Sequence, residues 1–452
     1  MACLHKMPAR GGVPPPPAGS AEHSVHDAVE LTEELEMRVY AARWLLPVTS
    51  PPVMDGAVSV EDGTIVKAGS RKDVLEAAGD DAEIRELGDA AILPGLVNTH
   101  VHVDLSWMGE DPPPTGNFPD WVRGLLERKA AEDPERARKA AQAGIDSMLD
   151  RGIVAVGDVS NDTWVVPLLV RSALEGVSFQ EVYGFRTQDA EKWMLAAAYR
   201  LEILAGNAEV TAAGKRWRIV PTAHAPHTTS PQLIRMLAAR AAASGEPLSI
   251  HVAESKSEVE LIRDGSGPFP DLLREREMWD KNFEPRGHTP VEHLDRLGAL
   301  TGGTLAVHCV HLTQADHSRL QMRGTTMVTC PRSNRTLGVG TAPVPQLMAQ
   351  GIPVALGTDS LASAPDLDLL AEMALLIEEH PALTPRAVLR MATLNGAEAL
   401  GLADRLGSIE PGKSDRLVVV PLPADDNHPV TAVCSNPAEI HMLEDAPHGT
   451  EA

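Results

Sequence analysis

The chain has 452 residues, which at about 100–200 residues per domain suits two or three domains, or one large barrel with a satellite. With 43% hydrophobic and 23% charged residues, and no run of about 18 apolar residues able to span a bilayer, it reads as soluble and globular, which excludes a membrane-embedded protein. The net charge of −23 repels a nucleic-acid backbone on average and argues against that partner.

At the N-terminus Lys6 and Arg10 precede a Pro- and Gly-rich stretch from Gly11 to Ser20 with no apolar core, so this is not a secretory signal. Residues 1–30 are expected to be a disordered tail. The cysteines, Cys3, Cys309, Cys330 and Cys434, lack C-x-x-C spacing, which indicates neither a disulfide framework nor a zinc ribbon and makes the reducing cytoplasm the expected location. From about Arg38 to Gly88 short apolar runs at 43–47, 56–60 and 64–68 are broken by Gly, Pro and Asp, the punctuation of strands and turns. The same texture returns at 407–413 and 417–421. One small β-domain built from both chain ends, 31–90 and 405–445, accounts for it.

Between these flanks, β-rich or apolar runs recur at 90–94, 154–158, 179–184, 217–221, 248–252, 304–308, 326–330 and 353–357. Most are separated by Ala/Leu/Arg/Glu-rich stretches, such as 135–144 and 231–240, that read as helices. Seven crossovers between His100 and Asp359 come to about 37 residues each, a reasonable βα unit. The predicted fold class is therefore α/β, a (β/α)8 TIM barrel over residues 91–404. The interval 255–303 interrupts the pattern and is expected to form an extended loop plus a helix over the barrel mouth.

The chemistry falls at predicted strand ends. THVH (99–102) places His100 and His102 two apart, so both imidazoles can face one side of a strand. His251, His308 and Asp359 lie at the C-terminal ends of other strands, where barrel enzymes carry their sites. Alone, each is more readily an ordinary hydrogen-bonded residue than a ligand; together they share one position relative to their strands. Three neutral imidazoles and a carboxylate from this set suit one divalent ion, Zn²⁺ or Fe²⁺, and leave room for water. The run 217–223 has no Lys at its end, so a carbamylated lysine bridging two metals is not available there.

PGLVNTHVH (94–102), HVAE (251–254), HCVHL (308–312) and GTDS (357–360), closed by GSIEPGK (407–413), resemble the amidohydrolase superfamily, in its deaminase and chlorohydrolase branch. The resemblance covers nearly all of residues 38–445. It implies a TIM barrel with a small composite β-sandwich domain and one metal ion held by His100, His102, His251 and Asp359. It further implies catalysis by Glu254 as proton shuttle, by His308 contacting the attacking water, and by Asp359. Chemistry supports these roles: a metal lowers the pKa of water from 15.7 to about 7, and a carboxyl group must carry the proton to the leaving amine. Glu254, three residues beyond His251, can face the same cavity, although such a residue can also be a solvated loop acid. His311 reads as a second-layer or strand-end residue.

For the substrate, HAPH (224–227) ends the fourth strand. His224 is expected to touch a ring or ribose, while His227 stands where the family usually has an aromatic hydroxyl residue, or is a surface-loop residue. Arg332, in CPRSN (330–334), offers a planar donor fork, unless an ion pair occupies it. Phe118 and Trp121, in NFPDWVRGLLER (117–128), line a purine or simply pack against the barrel. This segment, RDGSGPF (263–269) and CPRSN are similar to the aminodeoxyfutalosine deaminases of the futalosine route to menaquinone, which convert a 6-aminopurine nucleoside to its 6-oxo form. Asp104 where that group tends to have Glu, and Ser363-Ala-Pro in place of Ser-Asn, are departures. Adenosine, S-adenosylhomocysteine and guanine deamination, or expulsion of chloride or a cyclic amide nitrogen, are the alternatives on the same site, and a non-catalytic barrel is a different class. The expected partner is a small-molecule substrate. The sequence is silent on oligomeric state, and the resemblance adds only that barrels of this branch are often homodimers.

Overall fold

The computed structural model describes residues 37–447; the tail expected at 1–30 lies outside them. Strands β1 (Arg38–Leu45), β2 (Val53–Glu61) and β3 (Thr64–Ser70) run antiparallel in sequence order. Asp62 and Gly63 join β2 to β3 with positive φ of 48° and 70°, the left-handed pair that a two-residue hairpin of native twist requires. β4 (Glu83–Glu86) and β5 (Ala90–Pro94) add parallel to β1. Alternation divides this sheet's faces: Tyr40, Val58 and Ile65 join one apolar cluster, Val39, Ala41 and Ala57 another.

Eight parallel strands follow in two four-stranded sheets. β6 (Leu96–Val101), β7 (Ile153–Ser160), β8 (Glu175–Val182) and β9 (Trp217–Ala223) pair in order, as do β10 (Leu248–Val252), β11 (Thr304–His308), β12 (Thr326–Thr329) and β13 (Val354–Leu356). The connecting segments carry helices such as Pro134–Asp150 and Pro231–Ser244, as parallel pairing demands. The two sheets meet along both borders. The amides of Thr358 and Asp359 donate to the His100 carbonyl at 3.1 and 3.0 Å, and His251 N–H donates to the His224 carbonyl at 2.9 Å. In β10, Leu248, Ile250 and Val252 pack into the main core, so by period two Ser249 and His251 face the other side. β14 (Leu417–Pro421) and β15 (His441–Met442) then return to the first sheet, which has seven strands drawn from both chain ends.

Two expectations need correction. The run 90–94 is not a strand of the parallel sheets: β5 pairs antiparallel with β14, Val418 opposite Leu93, and the first parallel strand begins only after Gly95. An apolar run bounded by Pro has no local feature that chooses between two sheets; its partner strand, with Val418 opposite Leu93 and 325 residues further on, does. The interval 255–303 holds three short helices, Lys256–Asp264, Phe269–Glu275 and Pro290–Arg296, rather than a loop and one helix. Ser255 accepts from Glu258 N–H and Thr289 from Glu292 N–H, so S-x-x-E and T-x-x-E were start signals standing in the sequence.

Among the described residues no helix is long and apolar enough to cross a membrane. Gly357 sits where β13 meets β6, and a Cβ there would lie 2.8 Å from both the Cβ and the carbonyl oxygen of His100. Gly357→Ala is therefore expected to destabilise the chain by about 1–3 kcal/mol through overpacking; thermal unfolding checks this, an unchanged midpoint contradicting it.

Candidate active site

Backbone strain concentrates where the second sheet ends. Ala253, His308, Cys309 and Asp359 have φ of 53°, 71°, 49° and 61°, the left-handed region that non-glycine residues avoid unless their surroundings impose it. The cross-connections impose it here: Cys309 N–H donates to the Val252 carbonyl and Val310 and His311 N–H to that of Ala253. These turns swing the side chains that follow each strand towards one centre.

His100, His102, His251 and Asp359 converge there. Ligand-capable nitrogens of the three imidazoles lie within 4.8 Å of one another. Asp359 Oδ1 stands 3.9 Å from His100 Nε2 and 3.7 Å from His102 Nε2, and His102 Nε2 is 3.4 Å from His251 Nε2. Among the described residues, both ring nitrogens of His100, Nδ1 of His102 and Nε2 of His308 are buried without a hydrogen-bond partner. Buried polar atoms are seldom left so, and nitrogens gathered around a carboxylate oxygen fit a divalent cation.

The electrostatics agree. Burial, then the neighbouring imidazoles of His251, His102 and His308, hold His100 well below the usual imidazole range; burial also pushes His251 down to about 4. His100 and His251 are thereby kept in the neutral form that ligates. Burial pushes the Asp359 carboxyl up, but His102, His308 and the Ser333 hydroxyl outweigh it and leave it below its ordinary value. Ser333 and Ser363 donate to Asp359 Oδ2 at 2.5 and 3.0 Å.

Glu254 and His308 form the facing pair, with Glu254 Oε1 3.6 Å from His308 Nε2. Burial, then the charges of Asp359 and Glu258, raise Glu254 well above the carboxylate range. His308 Nδ1 lies 3.0 Å from Asn334 Oδ1, an acceptor, so Nδ1 carries the hydrogen and Nε2 presents its lone pair. Glu258 accepts from the N–H groups of Ala253 and Glu254 at 2.9 and 3.0 Å, pinning the turn that aims Glu254. Glu258→Ala leaves two buried donors unmatched at about 1–3 kcal/mol each; a lower unfolding temperature together with reduced kcat is the expected result, and wild-type values for both would contradict it.

The expected substrate contacts are placed unequally. His224 stands beside the cluster, its ring 4.9 Å from that of His251 and 4.6 Å from that of Tyr183, with Nδ1 2.6 Å from Thr228 Oγ1. His227 is buried rather than a surface-loop residue, stacked on Phe269 at 4.4 Å. Trp121 donates to the Ala362 carbonyl at 3.1 Å, three residues past Asp359. Phe118 lies in the main core, stacked against Trp121 and edge-on to Phe269. The Arg332 fork is bound to both carboxylate oxygens of Asp366, one at 2.9 Å. From the same motif Ser333 and Asn334 touch the centre. Asp104 is buried, 3.6 Å from Lys129 Nζ, and accepts from Asn161 N–H. His311 follows the pinned turn, its N–H on the Ala253 carbonyl at 2.8 Å.

Sequence reasoning missed Glu181, Glu258, Ser333, Asn334 and Ser363. Glu258 had a signal as the last residue of the Ser255 capping motif. Glu181 stands near the C-terminal end of β8, the position that drew attention to His251 and His308, beside Gln180 in a strand that also carries Ser178, so no apolar background set it apart.

The chain is similar to known proteins. The profile described as the amidohydrolase family matches residues 91–443. An aminodeoxyfutalosine deaminase from Deinococcus radiodurans is 34% identical over 362 residues, 76% of this chain and 81% of the relative. A 5-methylthioadenosine/S-adenosylhomocysteine deaminase from Moorella thermoacetica is 30% identical over 388 residues, 83% of each. Among solved structures, an adenosine deaminase from Xanthomonas campestris with bound zinc superposes with a TM-score of 0.72 at 26% identity, covering 89% of both chains.

Proposed function

This chain belongs to the amidohydrolase family and is a hydrolase of carbon–nitrogen bonds, and from that premise we propose that it deaminates a 6-aminopurine nucleoside, with aminodeoxyfutalosine the first candidate. The convergence of His100, His102, His251 and Asp359 opposite Glu254 and His308 carries the reading. The relatives' names, both for deaminases of adenine nucleosides, support the substrate class. In architecture we take the two parallel sheets, joined along both borders, as a closed (β/α)8 barrel, and the seven-stranded sheet as folding over its own apolar face into a small sandwich.

His100, His102, His251 and Asp359 are assigned as holders of one divalent ion, Zn²⁺ or Fe²⁺, whose ligand preferences the neutral imidazoles and single carboxylate meet. When bound, such an ion acidifies water from a pKa of 15.7 to about 7 and so supplies a nucleophile at neutral pH. The protein's own groups do the rest. His308 Nε2, the bare acceptor of its ring, takes a hydrogen bond from the attacking water and orients it towards the amino-bearing carbon. Glu254 receives the water's proton and delivers it to the departing nitrogen, so that ammonia rather than an amide anion leaves. Ser333 and Ser363 fix Asp359, and Asn334 fixes the His308 tautomer. His224, beside the cluster, is assigned to the ring or ribose, with Trp121 further along the wall. Phe118 supports Trp121 from the core, and Arg332 acts at the site's edge through its pair with Asp366.

Ammonia release from aminodeoxyfutalosine, 5-methylthioadenosine, S-adenosylhomocysteine, adenosine and guanine, assayed side by side, tests this. The expected result is turnover of adenine nucleosides, aminodeoxyfutalosine with the highest kcat/KM. No ammonia from any of the five refutes deamination, and chloride or a ring-opened product from a triazine or cyclic amide substrate points to the other chemistry of the branch.

A further inference from the structure

Glu181, the last residue but one of β8, is buried, and neither catalysis nor substrate contact as described above uses it. Its Oε2 accepts from the Tyr183 hydroxyl at 2.5 Å, and its backbone carbonyl accepts from Arg200 at 2.9 Å. Among the described residues its Oε1 has no hydrogen-bond partner. That oxygen lies 3.6 Å from His251 Nδ1 and 3.9 Å from His224 Nε2. Glu181, His224 and His251 thus gather ligand-type atoms within 4.8 Å, which on distance alone describes another cation site.

The tautomer of His251 decides against that. Its Nδ1 is 3.0 Å from the His224 carbonyl oxygen. A carbonyl can only accept, so Nδ1 carries the hydrogen and has no lone pair to offer a cation. The lone pair is on Nε2, which faces His102 and the central cluster. A carboxylate beside the N–H edge of a ligating imidazole fixes the ring's tautomer and raises the basicity of the opposite nitrogen. The His224 carbonyl holds the hydrogen; the unpartnered Glu181 oxygen supplies the negative charge behind it.

We propose that Glu181 is the positioning carboxylate of His251 and sets how tightly the chain retains its metal ion. The proposal rests on the metal assignment made under Proposed function. It makes Tyr183 a third layer, because its hydroxyl on Oε2 turns Oε1 towards His251.

The test is zinc retention by the full chain in competition with a graded chelator, for wild type, Glu181→Gln and Glu181→Ala, alongside thermal unfolding of the metal-free proteins. Glu181→Gln keeps the shape and a donor-acceptor amide but removes the charge. The expected result is zinc binding weakened about 10–100-fold with the metal-free unfolding temperature unchanged. Equal zinc retention by wild type and Glu181→Gln overturns the proposal while leaving the metal assignment intact. Two zinc ions per wild-type chain and one in Glu181→Gln overturn it in favour of a second cation site. A wild type that takes up no metal overturns both readings. Should Glu181→Ala fail to fold, the Gln variant alone decides.

Discussion

Glu254→Gln is expected to lower kcat by about 10²–10⁴-fold, the range lost with a positioned acid–base group, while the metal stays bound. The geometry separates these two effects. Glu254 lies outside the His100–His102–His251 cluster, with its Oε1 3.6 Å from His308 Nε2. Its backbone is pinned by Glu258, so the amide occupies the position of the carboxyl. What the amide lacks is an ionisable oxygen that can take up a proton and pass it on, an oxygen whose hold on that proton burial strengthens. Single-turnover kinetics with metal analysis on the same sample check this. Loss of less than tenfold assigns the proton transfer to another group, and loss of the ion along with activity makes Glu254 a ligand.

The parts of this site that a reader of sequence could reach share a property: they sit where a strand stops, and strand ends are marked by composition. His100 and His102 are two apart, and His251, His308 and Asp359 each follow an apolar run. The structure brings all five side chains to one centre. What could not be reached depends on direction rather than position. Three consecutive residues of CPRSN diverge, Arg332 outward to Asp366 and Ser333 and Asn334 inward, because the segment turns into a helix at Pro331 and successive helical residues point about 100° apart. Ser363, part of a departure that put substrate preference in doubt, is a donor to Asp359. The run 90–94 went to the wrong sheet for a related reason: pairing across more than 300 residues is a tertiary choice, and local pattern carries no record of it.

Stripping the metal is expected to abolish turnover and to lower the unfolding temperature, with Zn²⁺ or Fe²⁺ restoring both. The first effect follows from the nucleophile, since water at a pKa of 15.7 offers almost no hydroxide at pH 7, whereas a pKa of about 7 makes half of it available. The second follows from mass action: an ion at about 100 times its Kd stabilises the folded chain by about 2.7 kcal/mol. It also follows from the site itself, where His100 carries two buried nitrogens without partners among the described residues and the neighbouring rings crowd it. His100→Ala should then separate the effects. It removes a ligand from the centre, so metal no longer restores activity or raises the unfolding temperature, although the metal-free fold survives because His100 makes no side-chain hydrogen bond there to lose. If His100→Ala is instead rescued by zinc as fully as wild type, His100 is no ligand, and the centre must be rebuilt around His308, whose ring neighbours that of His100 and whose buried Nε2 has no hydrogen-bond partner among the described residues.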